Sequence, residues 1–118
     1  MLSETQISDF KRQGYLMLPE LVSEAVRGDL LSQLQEWVEE SRQQYANYGF
    51  DTPNGKARFD LEQGHTAANP RLRRVANPTD ISEIYQKLLF EGDLPEAVSD
   101  LIGPNVFFHH CKLNNKFP

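Results

Sequence analysis

Several features are missing from this sequence of 118 residues, and each absence narrows the class of protein. Cys111 is the only cysteine, so an internal disulfide is impossible. No apolar run approaches the ~20 residues that span a bilayer. The opening residues, MLSETQ, lack the basic and apolar regions of a secretory signal. We therefore expect a protein of a reducing, cytoplasmic compartment with no membrane partner.

Positive charge is also in short supply. There are 12 Lys and Arg against 17 Asp and Glu, which gives a net charge of −5. Proteins that bind nucleic acid generally carry a basic stripe, so no nucleic-acid partner is expected. The 39% of hydrophobic and 25% of charged residues are ordinary for a globular chain. Length allows one domain, and we assign residues 1–118 to it.

Helical spacing and capping signals predict four helices. Ser3 and Gln6 have the spacing of a capping box, and Gly14 is a typical residue just past a helix end. Ser23 precedes the longest apolar-periodic segment, and Asp80 is expected to cap the third helix. The predicted helices cover 4–13, 24–45, 81–90 and 94–102.

Three short segments have the composition of strands, at 15–18, 58–61 and 105–116. Between the second and the third of them, residues 63–79 are predicted to be irregular. In 58–61, Phe59 and Leu61 are expected to point inward. With three strands at most beside the helices, the predicted fold class is α+β.

The last predicted strand alternates between two kinds of side chain. One face would present Val106, Phe108, His110, Lys112, Asn114 and Lys116, and the other face, mostly apolar, would pack on a core. A strand that ends in His, Lys and Asn on one side is typical of a polar pocket wall. The alternative is that Lys112 and Asn114 are solvent-facing and that His110 is a hydrogen-bonded, partly buried histidine.

Known catalytic motifs are absent from the sequence. It contains neither a glycine-rich phosphate loop nor a nucleophile elbow. None of His65, His109 and His110 has a carboxylate two positions later, so no facial iron triad begins here. We accordingly assign no catalytic and no metal-binding residue, and interpret His65 as a surface residue and Cys111 as an inert thiol. Three arginines, Arg71, Arg73 and Arg74, could attract an anion, but the favoured interpretation is a solvated loop in which they pair with nearby acids.

Four stretches carry a family likeness: FKRQGYLMLP (10–19), ARFDLE (57–62), NPRLRRVANP (69–78) and VFFHHCKLNNK (106–116). In this order they resemble the N-terminal half of the phytanoyl-CoA dioxygenase family. The resemblance implies a double-stranded β-helix, or jelly-roll, with helices packed on one side. It also implies Fe(II) held by a His-x-Asp and a distant His, with 2-oxoglutarate and O₂ used to hydroxylate a small-molecule substrate.

The resemblance assigns roles to three residues of the last strand. Lys112 and Asn114 would contact 2-oxoglutarate, and His110 would line the substrate pocket. The family's His-x-Asp would fall after Pro118, so the chain looks like an incomplete, N-terminal part of such a domain. Fe(II) and 2-oxoglutarate are expected in the complete enzyme and not bound tightly to this chain alone.

A second hypothesis starts from the missing iron triad. The chain would then be a non-catalytic helical interaction module that has kept only the front of the fold. It would bind a protein partner or associate with itself through the unpaired edge of the last strand.

Overall fold

The computed structural model describes every residue from Met1 to Pro118, as four helices and one small sheet. In chain order the elements are α1 (Glu4–Gln13), α2 (Glu24–Ser41), β1 (Phe59–Leu61), β2 (Leu72–Ala76), a 3₁₀ turn (Pro78–Asp80), α3 (Glu83–Phe90), α4 (Asp93–Ile102) and β3 (Lys112–Asn114). None of the helices combines the length and the apolar character that crossing a bilayer requires.

The first helix forms as its end signals predict. The Ser3 hydroxyl accepts a hydrogen bond from the Gln6 N–H, and the Gln6 side chain accepts one from the Ser3 N–H. Gly14 ends the helix at φ 84°, a conformation that glycine adopts without steric cost. Both end signals and the bounds of α1 are thus confirmed.

The second helix ends at Ser41, before the predicted end at 45. The loop that follows β1 folds back onto this end and satisfies its free carbonyl groups. The His65 ring lies 3.0 Å from the Ser41 oxygen and 3.2 Å from the Gln44 oxygen, and Arg42 donates to the Ala67 carbonyl. A tertiary contact therefore replaces the last predicted turn of the helix.

Asp80 does not cap the third helix as predicted. Ser82 is the cap, and its hydroxyl accepts from the Tyr85 N–H, while Asp80 ends the 3₁₀ turn. The Asp80 carboxylate instead accepts a hydrogen bond from the buried Arg58 guanidinium. The α4 helix begins at Asp93, one residue before the prediction, because Gly92 at φ 78° breaks the chain direction.

The sheet has the order β1-β2-β3, and both pairs are antiparallel. Its central strand, β2, lies in a segment that was predicted to be irregular, so that prediction is wrong. Leu72 and Val75 are both fully buried although they are three residues apart. The register shifts between Asp60 and Leu61, which leaves Arg73 as the extra residue of a bulge. The bulge breaks the alternation by which a strand is recognised.

The predicted strand at 15–18 is absent. Leu16 and Leu18 are half-buried while Tyr15 and Met17 are exposed, so the predicted alternation is present. No other segment pairs with this stretch, and its backbone remains outside the sheet. An alternating pattern without a partner strand is therefore insufficient to form a strand here.

The last strand is shorter than predicted, at Lys112–Asn114 instead of 105–116. β2 can pair only with this part: the Asn77 N–H donates to the Cys111 carbonyl and the Asn115 N–H donates to the Arg73 carbonyl. From Cys111 onward the predicted alternation holds. Before it, Phe107 is 97% exposed and does not pack on the core, against the prediction.

The core lies between the helices and one face of the sheet. It consists of Trp37, Phe59, Leu72, Val75 and Tyr85, and Leu113 packs against it as predicted. The Trp37 ring stacks on Tyr85 at 5.8 Å and meets Phe59 edge-on at 6.1 Å. Aromatic contacts of this kind contribute beyond simple area burial, so this small core depends strongly on its rings.

Two tyrosines, Tyr85 in the core and Tyr48 packed against it, make the fold sensitive to high pH. Burial raises the pKa of Tyr48, with a further contribution from the Glu40 carboxylate, and burial raises the pKa of Tyr85. The unfolded chain then loses these protons at a lower pH than the folded chain. The free energy of unfolding should be unaffected below about pH 10 and should fall as the pH rises above it. Urea unfolding between about pH 8 and 11 measures the effect.

The Tyr48→Phe variant is the matched control for this pH dependence. It keeps the ring that stacks on Phe59 at 4.6 Å and removes the ionisable hydroxyl. The decline of stability above pH 10 should therefore be shallower in this variant than in the parent chain. An equally steep decline in both proteins would show that other groups are responsible.

Candidate functional site

The sheet presents a second, polar face, turned away from the core. Paired residues in an antiparallel sheet point to the same side, and the register gives two rows across the three strands. One row is Asp60, Arg74 and Asn114, and the other is Arg58, Ala76 and Lys112. We call these six residues the polar face.

Asp60 is the buried anion of this face and is held by two neighbouring arginines. Arg73 Nη2 lies 3.1 Å from Asp60 Oδ2, and Arg74 Nη2 makes an ion pair with the same oxygen. The bulge at Arg73 is what lets two consecutive side chains reach one carboxylate. The favoured interpretation, that these arginines pair with nearby acids, is confirmed for both, although on a strand and not in a loop. Arg71 instead lies over the Phe117 ring at 5.5 Å.

Arg58 is the buried cation of the polar face. Its Nη1 donates to the carbonyl groups of Ala76 at 2.9 Å and of Asn77 at 3.0 Å, and pairs with Asp80 at 3.2 Å. Asp51 lies 3.8 Å from its Nε. The side chain thereby joins β1 to the end of β2 and to the 3₁₀ turn, which makes it a structural residue.

Lys112 and Asn114 share the polar face, as the alternation predicts. Both side chains are exposed, and Lys112 makes no ion pair with a carboxylate. In the register between β2 and β3, Asn114 lies opposite Arg74. An ammonium group and an amide on one side of a strand can hold a carboxylate by charge-assisted hydrogen bonds. Lys112 and Asn114 therefore provide hydrogen-bond donors on one side of β3.

His110 is not brought together with these two residues. It precedes β3, it is exposed, and its ring lies against that of His109 with 4.4 Å between the centroids. His110 therefore does not lie on the polar face with Lys112 and Asn114, and its predicted place in a substrate pocket stays a prediction.

Both ring nitrogens of His65 are engaged in hydrogen bonds, which bears on whether this chain could hold a metal ion. The Arg71 N–H donates to His65 Nδ1 at 2.8 Å, so Nε2 carries the proton and donates to the carbonyl groups of Ser41 and Gln44. His65 is thus a structural link, not the free surface residue of the sequence interpretation. No three His, Cys, Asp or Glu side chains converge in a way that could hold a metal ion. The residues of this chain do not fit an Fe(II) site by themselves.

Sequence reasoning missed the charged side of β1. Arg58 and Asp60 alternate with the inward Phe59 and Leu61, and both are buried and paired. The signal was present, because two opposite charges at a spacing of two on an apolar strand indicate a second packed face. Lys56 lies in the loop before β1, where there is no strand alternation to indicate the direction of its side chain.

Comparison with known proteins gives one distant likeness to a hydroxylase. The chain is 28% identical over 117 residues to a methylphosphonate hydroxylase of Gimesia maris. The match covers 99% of this chain, which spans only 40% of the length of that relative. No family model matches the chain. No solved structure matches it either.

Proposed function

We propose that this chain is the front part of an Fe(II)- and 2-oxoglutarate-dependent dioxygenase of the phytanoyl-CoA dioxygenase family, which hydroxylates a small molecule. The observation that carries this proposal is the polar face, where an unpaired lysine and an amide lie in register beside the ion pair of Arg74 with the buried Asp60. The likeness to a hydroxylase over nearly the whole chain supports the same assignment.

The two faces of the sheet agree with the first strands of a jelly-roll barrel. Helices α2 and α3 pack on the apolar face, where Trp37 and Tyr85 meet Phe59 and Val75. In a barrel, one face of each strand is covered from outside and the other lines the interior. The polar face would then be the interior wall, and the strands that complete the barrel would come from outside these 118 residues.

In this proposal the chain contributes to binding and not to metal ligation. The Lys112 ammonium and the Asn114 amide would hold one carboxylate of 2-oxoglutarate, as the resemblance implies. Ferrous iron, which supplies O₂ activation when bound, would take its ligands from residues outside this chain. The Arg74–Asp60 ion pair would keep Asn114 beside a fixed neighbour, because Arg74 is its partner in the β2–β3 register.

The relative's name also bears on the substrate. That protein is named for methylphosphonate, and we propose a small anionic substrate of this kind here. The polar face has the charge for it, because Lys112 is without a carboxylate partner. Methylphosphonate is therefore the first substrate to offer.

The test requires the complete protein, translated from the gene beyond the codon for Pro118. With Fe(II), O₂ and methylphosphonate, we expect consumption of 2-oxoglutarate with release of succinate. Lys112→Ala should raise the KM for 2-oxoglutarate about 10-fold or more, since a hydrogen bond to a charged group contributes about 1.5–3 kcal/mol. Lys11→Ala, on the far-off helix α1, should change nothing. A reading frame that ends at Pro118, or no consumption of 2-oxoglutarate, would contradict the proposal.

A second candidate function is self-association, and the open edge of β3 favours it. Cys111 and Asn115 direct their backbone groups toward β2, so by alternation Lys112 and Asn114 direct theirs to the unoccupied edge. Such an edge is a template for another strand. Phe107 and Phe108 lie just before it and are exposed.

The Lys112→Pro variant separates the edge from the rest of the sheet. Proline at 112 removes an N–H that points outward, and leaves the bonds between β2 and β3 intact. If the chain dimerises through this edge, sedimentation should show a dimer for the parent and a monomer for the variant. Leu113→Pro is the control, because it removes an inward bond and should lower stability instead. A dimer that persists in Lys112→Pro would exclude this edge.

A further inference from the structure

A cationic cleft lies beside the polar face, between the loop before β1 and the end of β2. Its volume is about 320 Å³. The lining residues are Thr52, Pro53, Asn54, Lys56, Ala57, Arg74, Ala76 and Asn77. Two of them are cations and none is a carboxylate. In a protein with a net charge of −5, a cleft of this composition is the reverse of the general surface.

Arg74 offers a free donor at this cleft. Its Nη2 is engaged by Asp60, but its Nε is buried and has no hydrogen-bond partner. A buried N–H without an acceptor is unfavourable, and native structures usually satisfy it. Because the Arg74 side chain lines the cleft and is about one-third exposed, a bound anion can contact the accessible part of its guanidinium.

Lys56 provides the second charge. It is exposed and takes part in none of the ion pairs of the chain. The loop that carries it is ordered by Asn54, whose Oδ1 accepts from the Lys56 N–H at 3.0 Å and from the Thr52 hydroxyl at 3.0 Å. The lysine therefore stands on a fixed turn at the rim of the cleft.

Two amide groups complete the set of donors. Asn54 and Asn77 both use their side-chain oxygens as acceptors, the latter for the Cys111 N–H at 3.1 Å. Neither side-chain nitrogen donates a hydrogen bond within the chain, and both residues line the cleft. Donors thus reach the cleft from the loop, from β2 and from the segment after β2.

The charge balance of the surroundings favours a dianion. Asp51 and Asp80 are engaged by the buried Arg58, and Asp60 is shared by Arg73 and Arg74. Counting these three carboxylates against the three arginines leaves the positive charge of Lys56 uncompensated. Lys112 adds another one close by, because it pairs with Ala76 in the sheet register.

From these observations we infer that the cleft binds the tetrahedral, dianionic oxyanion group of a small molecule, of the phosphate or phosphonate type. Binding stands on residues of this chain alone. The further statement that this group belongs to the substrate rests on the proposed function. Lys112 then separates the two sites: the substrate's oxyanion lies on the Ala76 side of it and the 2-oxoglutarate carboxylate on the Asn114 side.

The experiment is a titration of the chain with inorganic phosphate at constant ionic strength, followed by ¹H–¹⁵N NMR. The Arg74 Nε–H resonance and the backbone amides of Lys56 and Asn77 should shift and saturate together. Lys56→Gln should weaken binding about 10-fold, since it removes one charge-assisted contact. This variant leaves the Asp60 ion pairs intact, so its fold is expected to match the parent. Arg74→Gln should weaken binding at least as much.

Lys11→Gln is the matched control, because Lys11 is an exposed lysine on α1, which packs on α4, and it does not line the cleft. Its phosphate affinity should equal that of the parent. Acetate, a planar monoanion, should bind more weakly than phosphate at the same ionic strength. The inference is overturned if Lys56→Gln binds phosphate like the parent, if acetate binds equally well, or if the shifts are spread over lysines throughout the chain.

The outcome is independent of the oxygenase assay. If phosphate binds at the cleft but the complete protein consumes no 2-oxoglutarate, the inference about the cleft stands and the proposed function is wrong. If the complete protein consumes 2-oxoglutarate but phosphate does not bind, the proposed function stands and the inference about the cleft is wrong.

Discussion

Trp37→Ala should lower the free energy of unfolding by about 4 kcal/mol, because truncating a buried aromatic side chain costs about 3–5 kcal/mol. Trp37 is only 6% exposed and contacts both Tyr85 and Phe59. Only a handful of side chains form this core, so the cavity has few neighbours that can fill it. Domains of this size are generally stable by about 5–15 kcal/mol, and the variant should lose a large part of that margin.

The measurement is urea unfolding followed by far-ultraviolet circular dichroism, since Trp37 is the sole tryptophan and fluorescence is lost with it. Leu31→Ala is the control, because Leu31 lies on the same helix and is half exposed. Its effect should stay within about 0.5 kcal/mol, as is usual for surface positions. Equal effects of the two substitutions would mean that Trp37 is not the centre of the core.

Arg58→Ala should destabilise the fold by about 3 kcal/mol, although it changes a charged residue. Arg58 is only 2% exposed, and its guanidinium donates to the Ala76 and Asn77 carbonyls. Each buried acceptor that loses its partner costs about 1–3 kcal/mol. The carboxylate of Asp80 loses its ion pair in the same step.

Arg73→Ala is the comparison that isolates burial. Arg73 also pairs with an aspartate, but its side chain is about half exposed, and Asp60 keeps Arg74 when Arg73 is removed. Exposed ion pairs contribute about 0–1 kcal/mol. Unfolding by urea should therefore separate the two variants by about 2 kcal/mol. Similar losses in both would assign the effect of Arg58 to charge in general and not to its buried bonds.

The helices were readable from the sequence because their signals are local. Ser3, Gln6 and Gly14 act on backbone groups within one turn, and the bounds of α1 follow from them. Where a distant group intervenes, the local signal is insufficient: His65 ends α2 early, and Arg58 withdraws Asp80 from its expected cap. Neither contact can be inferred without the fold.

The sheet was harder to read for a related reason. β2 is recognised only through its partners, since the bulge at Arg73 hides its alternation and two consecutive arginines of the strand pair with Asp60. Conversely, 15–18 alternates well and forms no strand. The shared face of Lys112 and Asn114 was predicted correctly, because it depends only on alternation within β3. Arg74 could not be placed beside Asn114 until the register was known.

The connections of the sheet determine the order in which it assembles. β1 and β2 are joined by one loop, whereas the 3₁₀ turn and both helices α3 and α4 lie between β2 and β3. Closing the longer loop costs more conformational entropy, so β3 should dock last and detach first. Amide hydrogen exchange should then be faster at Leu113 than at Asp60, which pairs with Arg74 of β2. A molecule that bridges Arg74 and Lys112 would slow the exchange at Leu113. Slower amide hydrogen exchange in β3 would thus report that a ligand is bound at the polar face.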